Sequence, residues 1–206
     1  MTNKLFWLDS EAFGLVARHD PIIEVAVAVT DLELNILAEC SWTIWSPQHR
    51  SRFDAQQYNA ELANDYPQNK LYQSEAFVLD MHTKSGLYAD ARETGRSFSQ
   101  VSGQVVEFLE RNGIDSKLDP MCGSSIRYDR EMLAVWMPEV NDAFHYRIID
   151  VSSLKEVARR YNESAFDDIQ AAYAAGRAAP SHRALDDIKD SIEEFRGYLN
   201  RLIVTA

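Results

Sequence analysis

Residues 4–15 read KLFWLDSEAFGL and residues 22–30 read IIEVAVAVT. The first run is apolar until it breaks off on two acids. Residues 4–10 of it are placed as a central strand, the first of the sheet, and residues 22–30 form a second apolar, β-branched run. A third apolar run, LNILAECSWTIW at 34–45, follows after only Asp31-Leu32-Glu33. Runs joined so closely predict an antiparallel hairpin.

Working outward from this sheet, residues 46–72 change character. They are rich in Gln, Asn, Asp and Tyr, carry Pro47 and Pro67, and read as an extended loop or short irregular helices. Short helices are expected within 74–95, around His82-Thr83. Val101, Val105, Phe108 and Leu109 give helical spacing over 97–111, ended by Asn112-Gly113. A short strand over 118–122 then precedes Gly123-Ser124-Ser125, followed by a helix over 128–137 stopped by Pro138. A strand over 146–150 leads to a helix over 153–161, where Ser153 and Glu156 have capping-box spacing. An alanine-rich helix over 164–180 is weakened by Gly176 and Pro180, and a last helix runs over 182–200. The order predicts an α/β fold with a mixed central sheet of about five strands flanked by helices, in a single domain over 1–206.

Bulk properties narrow the function classes. The net charge of −11 argues against a protein that grips long duplexes by electrostatics alone. It is compatible with carboxylates that hold cations and with a substrate small enough to need few phosphate contacts. No run of 18 apolar residues suggests a transmembrane helix, and acids follow too soon after Met1 for a secretory signal, so a cytoplasmic location is expected. Cys40 and Cys122 match no short metal-binding spacing and are expected to be free and buried.

Three segments carry chemistry. Asp9 and Glu11 stand at i and i+2 on a strand, so both carboxylates point to one side. Unpaired charges at the end of an apolar strand are costly, and a magnesium or manganese ion would remove that cost. Asp129 falls in the first turn of a helix that follows a small-residue turn, which also suits a plain helix-start acid. In SHRALDDIKDSIEEF, residues 181–195, Leu185, Ile188, Ile192 and Phe195 mark a buried face. Asp187 shares a flank with Ala184 and Ser191, small neighbours that permit close approach, whereas Asp186 shares one with Asp190 and Glu193. Asp187 is therefore the better ligand. His182 at the helix start suits a general base, since histidine ordinarily changes charge near neutrality. Each segment alone also reads as an ordinary polar strand end or solvated helix.

Their order is more specific. WLDSEAFGL at 7–15, CGSSIRYD at 122–129, HYRIIDVSSLKEVARRY at 145–161 and HRALDDI at 182–188 resemble the oligoribonuclease family, DEDD exonucleases of the histidine subtype with a ribonuclease-H-like fold. The resemblance covers almost the whole chain, with residues 46–72 aligning poorly. It implies a 3'→5' exoribonuclease that hydrolyses dinucleotides and very short single-stranded RNA to mononucleotides, with two Mg2+ or Mn2+ ions. Asp9, Glu11, Asp129 and Asp187 would be the metal ligands and His182 the catalytic base. Leu15 would wedge between the bases, and Phe77 would stack where the family usually has tryptophan. Ser125, Arg147 and Ser152 or Ser153 would cap the substrate's 5' end. Tyr146 and His145 would come from the partner subunit of a homodimer.

The sequence departs from the family pattern at Ala12-Phe13, where Met-Thr is usual, at Ser124, where Asn is usual, and at Arg127-Tyr128. Phe13 in particular is expected to put a bulky ring beside the substrate. That keeps a broader exonuclease on single-stranded RNA or DNA in play. A non-enzymatic scaffold would require a missing ligand, and none is missing. Trp7 and Trp136 are expected in the core, and Trp42 and Trp45 in sheet or dimer packing. His49 with Arg50 and Arg52 reads as a solvated loop rather than a basic patch, and His82 as a lesser candidate for lining the site.

Overall fold

A computed structural model describes residues 3–176 and 181–203. Five strands form one sheet: β1 (Lys4–Ala12), β2 (Ile22–Asp31), β3 (Ile36–Thr43), β4 (Pro120–Gly123) and β5 (His145–Asp150), in the order β3-β2-β1-β4-β5. The β1–β2 and β2–β3 pairs are antiparallel, and β4 runs parallel to both β1 and β5. The sheet is thus mixed, and the hairpin expected from the short 31–33 connection is present. Leu34, at φ 66, and an Asp31 side chain that accepts from Asn35 N lengthen that turn, so β3 starts two residues later than its apolar run.

The helices are α1 (Pro47–Glu61), α2 (Lys70–Lys84), α3 (Leu87–Thr94), α4 (Phe98–Arg111), α5 (Arg127–Trp136), α6 (Pro138–Asp142), α7 (Val151–Tyr161), α8 (Glu163–Gly176) and α9 (Ala184–Tyr198). Strand alternation sorts the sheet between two cores. Phe6, Leu8, Val25 and Val27 face Val101, Val105, Leu109, Met132 and Leu133 of α4 and α5. Trp7, Ala26 and Ala28 face Ile188, Ile192 and Phe195 of α9, with Val151, Ala158 and Ile169 beside them. Burying each large side chain of α9 contributes roughly 2 kcal/mol, so this face fixes the helix and leaves its flank available.

The segment that reads as a loop is not one. Residues 47–61 form a regular helix whose buried positions are His49, Arg52, Phe53 and Gln56. Its inner face is mostly polar and satisfied by specific partners, so no apolar stripe announces it. His49 Nε2 donates to Ile22 O (2.7 Å) and its Nδ1 accepts from Ser46 Oγ. Arg52 forks between Asp20 and Glu75, all three buried. The solvated reading of His49 and Arg52 is thereby corrected. The short helices around His82-Thr83 are instead the C-terminal part of the 15-residue α2.

Two caps also differ. Ser153 does not cap α7: the helix begins at Val151, Asp150 accepts from Ser152 N, and Ser153 Oγ donates to Asp150 Oδ2. An uncharted capping box, Ser97 with Gln100, starts α4. The alanine-rich helix runs to Gly176, and the rest of the expected 164–180 segment, with Pro180, lies outside the described residues. Cys122 is buried and Cys40 only half-buried, both free. Trp7 is fully buried, whereas Trp136 is half-buried, stacks on Phe98 and donates to Ala17 O.

Candidate active site

The end of β1 meets the start of α5 and the flank of α9. Asp9, Glu11 and Asp187 each place a carboxylate oxygen within 4.8 Å of the others. Asp186, one residue away, is exposed and accepts from Ser181 Oγ, so the two neighbouring acids of α9 face different surroundings. Asp129 is 3 % exposed in the first turn of α5. Its Oδ1 accepts from Ser10 N (2.9 Å) and Ser10 Oγ (2.7 Å), tying it to the strand that carries Asp9 and Glu11.

This concentration of acid is electrostatically costly. Burial, then the charges of Asp129, Glu11 and Asp187, holds the Asp9 carboxyl well above the usual carboxylate range. Burial with Asp187 and Glu24 pushes Glu11 up to about 8. Burial lifts Asp129 to about 7 against the Ser10 hydrogen bonds, which pull it down. A cluster of all-oxygen donors whose charges destabilise one another is suited to a hard divalent cation, so these residues fit one.

His182 precedes α9 rather than lying in it, at φ 52. The left-handed region costs a residue with a Cβ about 1–2 kcal/mol, so neighbouring contacts must hold it there. His182 lines a cavity of about 480 Å3 together with Phe77, Met81 and Lys84 of α2. Phe77 is 66 % exposed, a ring presented to solvent on the cavity wall. A second cavity, about 520 Å3 between α8 and α9, is lined by none of Asp9, Glu11, Asp129 and Asp187.

Leu15 is exposed at the turn after β1. Gly14 is required beneath it by close approach: a Cβ there would lie 2.5 Å from Asp20 Oδ2. That same oxygen accepts from Val16 N, and Tyr128 donates to Gly14 O, so the turn bearing Leu15 is held from two sides. Beyond the end of β4, Ser125 at φ 54 donates its N–H to Asp150 Oδ1 and Ser152 Oγ, both 2.9 Å away. Ser125, Ser152 and Ser153 therefore gather around the start of α7. Tyr146 and Arg147 are exposed on β5, the edge strand, with the Arg147 guanidinium 5.3 Å from the Tyr146 ring centre.

Phe13 does not stand beside a substrate. It is 1 % exposed and packs with Ile23, Phe53, Leu87, Tyr88 and Ala91, a third core beneath α1 and α3. The register is irregular between Glu11 and Ala12, and the ring beyond it packs against Trp45, His49 and Tyr88. His82 is buried but stands beside the cluster: its Nε2 donates to Ala12 O (3.0 Å) and lies 3.9 Å from Glu11 Oε2, Nδ1 is buried without a hydrogen-bond partner, and burial lowers it to about 4.

One residue of the site escapes a motif search. Glu24 of β2 is 1 % exposed, lies opposite Glu11 in register, and accepts from Arg183 and from Ala184 N. Its signal in the sequence was available, as the only charged residue inside the apolar run 22–30.

With the geometry in view, the exonuclease family RNase_T matches residues 6–195. The chain is 33% identical over 204 residues to the oligoribonuclease of Neisseria meningitidis serogroup B, covering 99% of this chain and 95% of that protein. It is 37% identical over 194 residues to the oligoribonuclease of Halorhodospira halophila, covering 94% of this chain and 91% of that protein. Among solved structures, Exonuclease I from Methylocaldum szegediense superposes with a TM-score of 0.61 at 17% identity over 97% of this chain. Exonuclease I of E. coli, bound to an oligonucleotide, gives 0.63 at 14% identity over 98% of it. This chain spans 41% of each of those two longer proteins, and at such identities the likeness is one of fold.

Proposed function

Given that the chain belongs to the oligoribonuclease family of exonucleases, we propose that it cleaves mononucleotides from the 3' end of very short RNAs, dinucleotides above all, as a single domain over 1–206. The observation that carries this reading is the set of three carboxylates gathered at the end of β1, with His182 two residues before the helix that supplies Asp187.

Asp9, Glu11, Asp129 and Asp187 would hold two divalent cations, Mg2+ or Mn2+. When bound, such ions supply positive charge for the phosphate and a more acidic water. The protein's own part begins with neutralisation: the charges that now oppose one another become ligands. His182 takes the proton of the attacking water, a role the carboxylates cannot fill while engaged as ligands. Phe77 offers a face for base stacking and Leu15 a wedge between bases. Ser125, Ser152, Ser153 and Arg147 surround the 5' end, where polar N–H and guanidinium groups suit phosphate oxygens. Tyr146, exposed on the edge strand beside His145, suits a contribution from each subunit of a homodimer to the other's site. Among the described residues no helix is long and apolar enough to cross a membrane.

A length series of 5'-labelled RNA and DNA, from two to about eight residues, tests the proposal. Metal-dependent release of mononucleotides with strong preference for the diribonucleotide is expected, lost in H182A and D187A. Equal rates across lengths or on DNA would favour the broader exonuclease. Intact rates in both variants would remove the assigned site.

A further inference from the structure

We propose that Arg183 is the positioning residue that presents His182 to the reaction, acting through a clamp between β2 and α3. The inference rests on the proposed role of His182 as base.

Arg183 stands at the N-cap of α9 but offers the helix no side-chain cap. Glu24 takes that place from another strand, accepting the Ala184 N–H at 3.1 Å. The same carboxylate accepts Arg183 Nε (3.1 Å) and Nη2 (3.0 Å), and Arg183 Nη1 donates to Asp90 Oδ2 of α3 (2.7 Å). The guanidinium is thus held at both ends of its fork, by a carboxylate buried in the sheet and by one on the surface. Its planar geometry is what allows one side chain to meet both acids in fixed directions.

His182 is the next residue upstream and keeps its left-handed backbone only while its surroundings impose it. The imposed reference point is informative. Glu24 is the register partner of Glu11, so the clamp locates the base relative to the strand that carries two of the carboxylates. Arg183 borders the same cavity as His182, but its guanidinium is engaged by Glu24 and Asp90. It transmits the position of β2 to the residue beside it.

A simpler role, neutralising buried Glu24, makes a different prediction for lysine, which keeps the charge and loses the fork. The experiment compares Arg183→Lys with the wild type. Measured are kcat and KM on a 5'-phosphorylated diribonucleotide, affinity for Mn2+ alone, melting temperature, and the His182 ring resonances, assigned with H182A. Arg183→Lys is expected to lower kcat roughly 10- to 100-fold, the effect of a misplaced catalytic group. KM and Mn2+ affinity should stay within about twofold, and the His182 resonances should shift or broaden. Full wild-type kcat in Arg183→Lys, or unmoved His182 resonances, overturns the proposal. A wild-type protein that hydrolyses no diribonucleotide would sink the functional reading instead, and the resonances would still decide whether the clamp orders His182.

Discussion

Replacing Asp187 by Asn should make the metal-free protein more stable while disabling it. The three oxygens of Asp9, Glu11 and Asp187 lie within 4.8 Å of one another. Two full charges at that separation repel by about 3.5 kcal/mol at an effective dielectric constant near 20. Glu11, pushed up to about 8, is largely protonated at pH 7, so much of the repulsion is already relieved there. Asn keeps the shape and leaves an oxygen to accept from the Glu11 carboxyl. The expected gain is about 1 kcal/mol at pH 7 and about 2–3 kcal/mol at pH 9, where Glu11 ionises. For a chain of this size that corresponds to about 2–4 °C and 4–12 °C in melting temperature. Calorimetry in chelator at both pH values reads the gain directly, and repeating it with Mn2+ should show a smaller metal-induced rise in D187N than in wild type. If D187N melts at or below wild type in chelator at pH 9, or if Mn2+ stabilises both equally, the carboxylates are not a mutually repelling cation site.

The cluster and the Arg52 triad each give a further outcome. Because Glu11 is raised from 4.5 to about 8 and Asp129 from 3.8 to about 7, the folded state binds these protons more tightly than the unfolded chain. Their contribution to metal-free stability is therefore full below about pH 4 and is lost as pH rises through about 8; a denaturation series from pH 5 to 9 should slope downward in chelator and flatten with saturating Mn2+, and a flat metal-free series would contradict the assigned shifts. Arg52→Met leaves Asp20 and Glu75 buried without their partner and should cost about 3–5 kcal/mol in urea denaturation, with a loss under about 1 kcal/mol showing that the triad is dispensable.

β1 and β2 were legible because they are apolar runs that a buried sheet explains, and the short 31–33 link paired β2 with β3, whose own residues are exposed or half-buried. Asp187 could be separated from Asp186 because helix periodicity places Ala184 and Ser191, both buried, on its flank. Helix α1 was not legible for the opposite reason. Its inner face is His49, Arg52 and Gln56, polar residues buried by partners far along the chain, and hydropathy counts such residues as solvent-facing. Asp150 replaced Ser153 as a cap because a strand's last residue already stood where the helix needed an acceptor. Arg183, beside His182, is held by Glu24 from another element of the chain, and local pattern cannot carry that information.

Phe13 has a consequence beyond its own packing. Its ring roots the α1–α3 layer to the chain just two positions after Glu11, while its carbonyl accepts from Gln56 and the next turn is bound through Asp20 to Arg52. A segment that looks like peripheral embroidery is thus bolted to the end of the strand that carries Asp9 and Glu11. Loosening at α1, far from any reacting atom, would be felt as play in the carboxylate that stands two residues from the bolt.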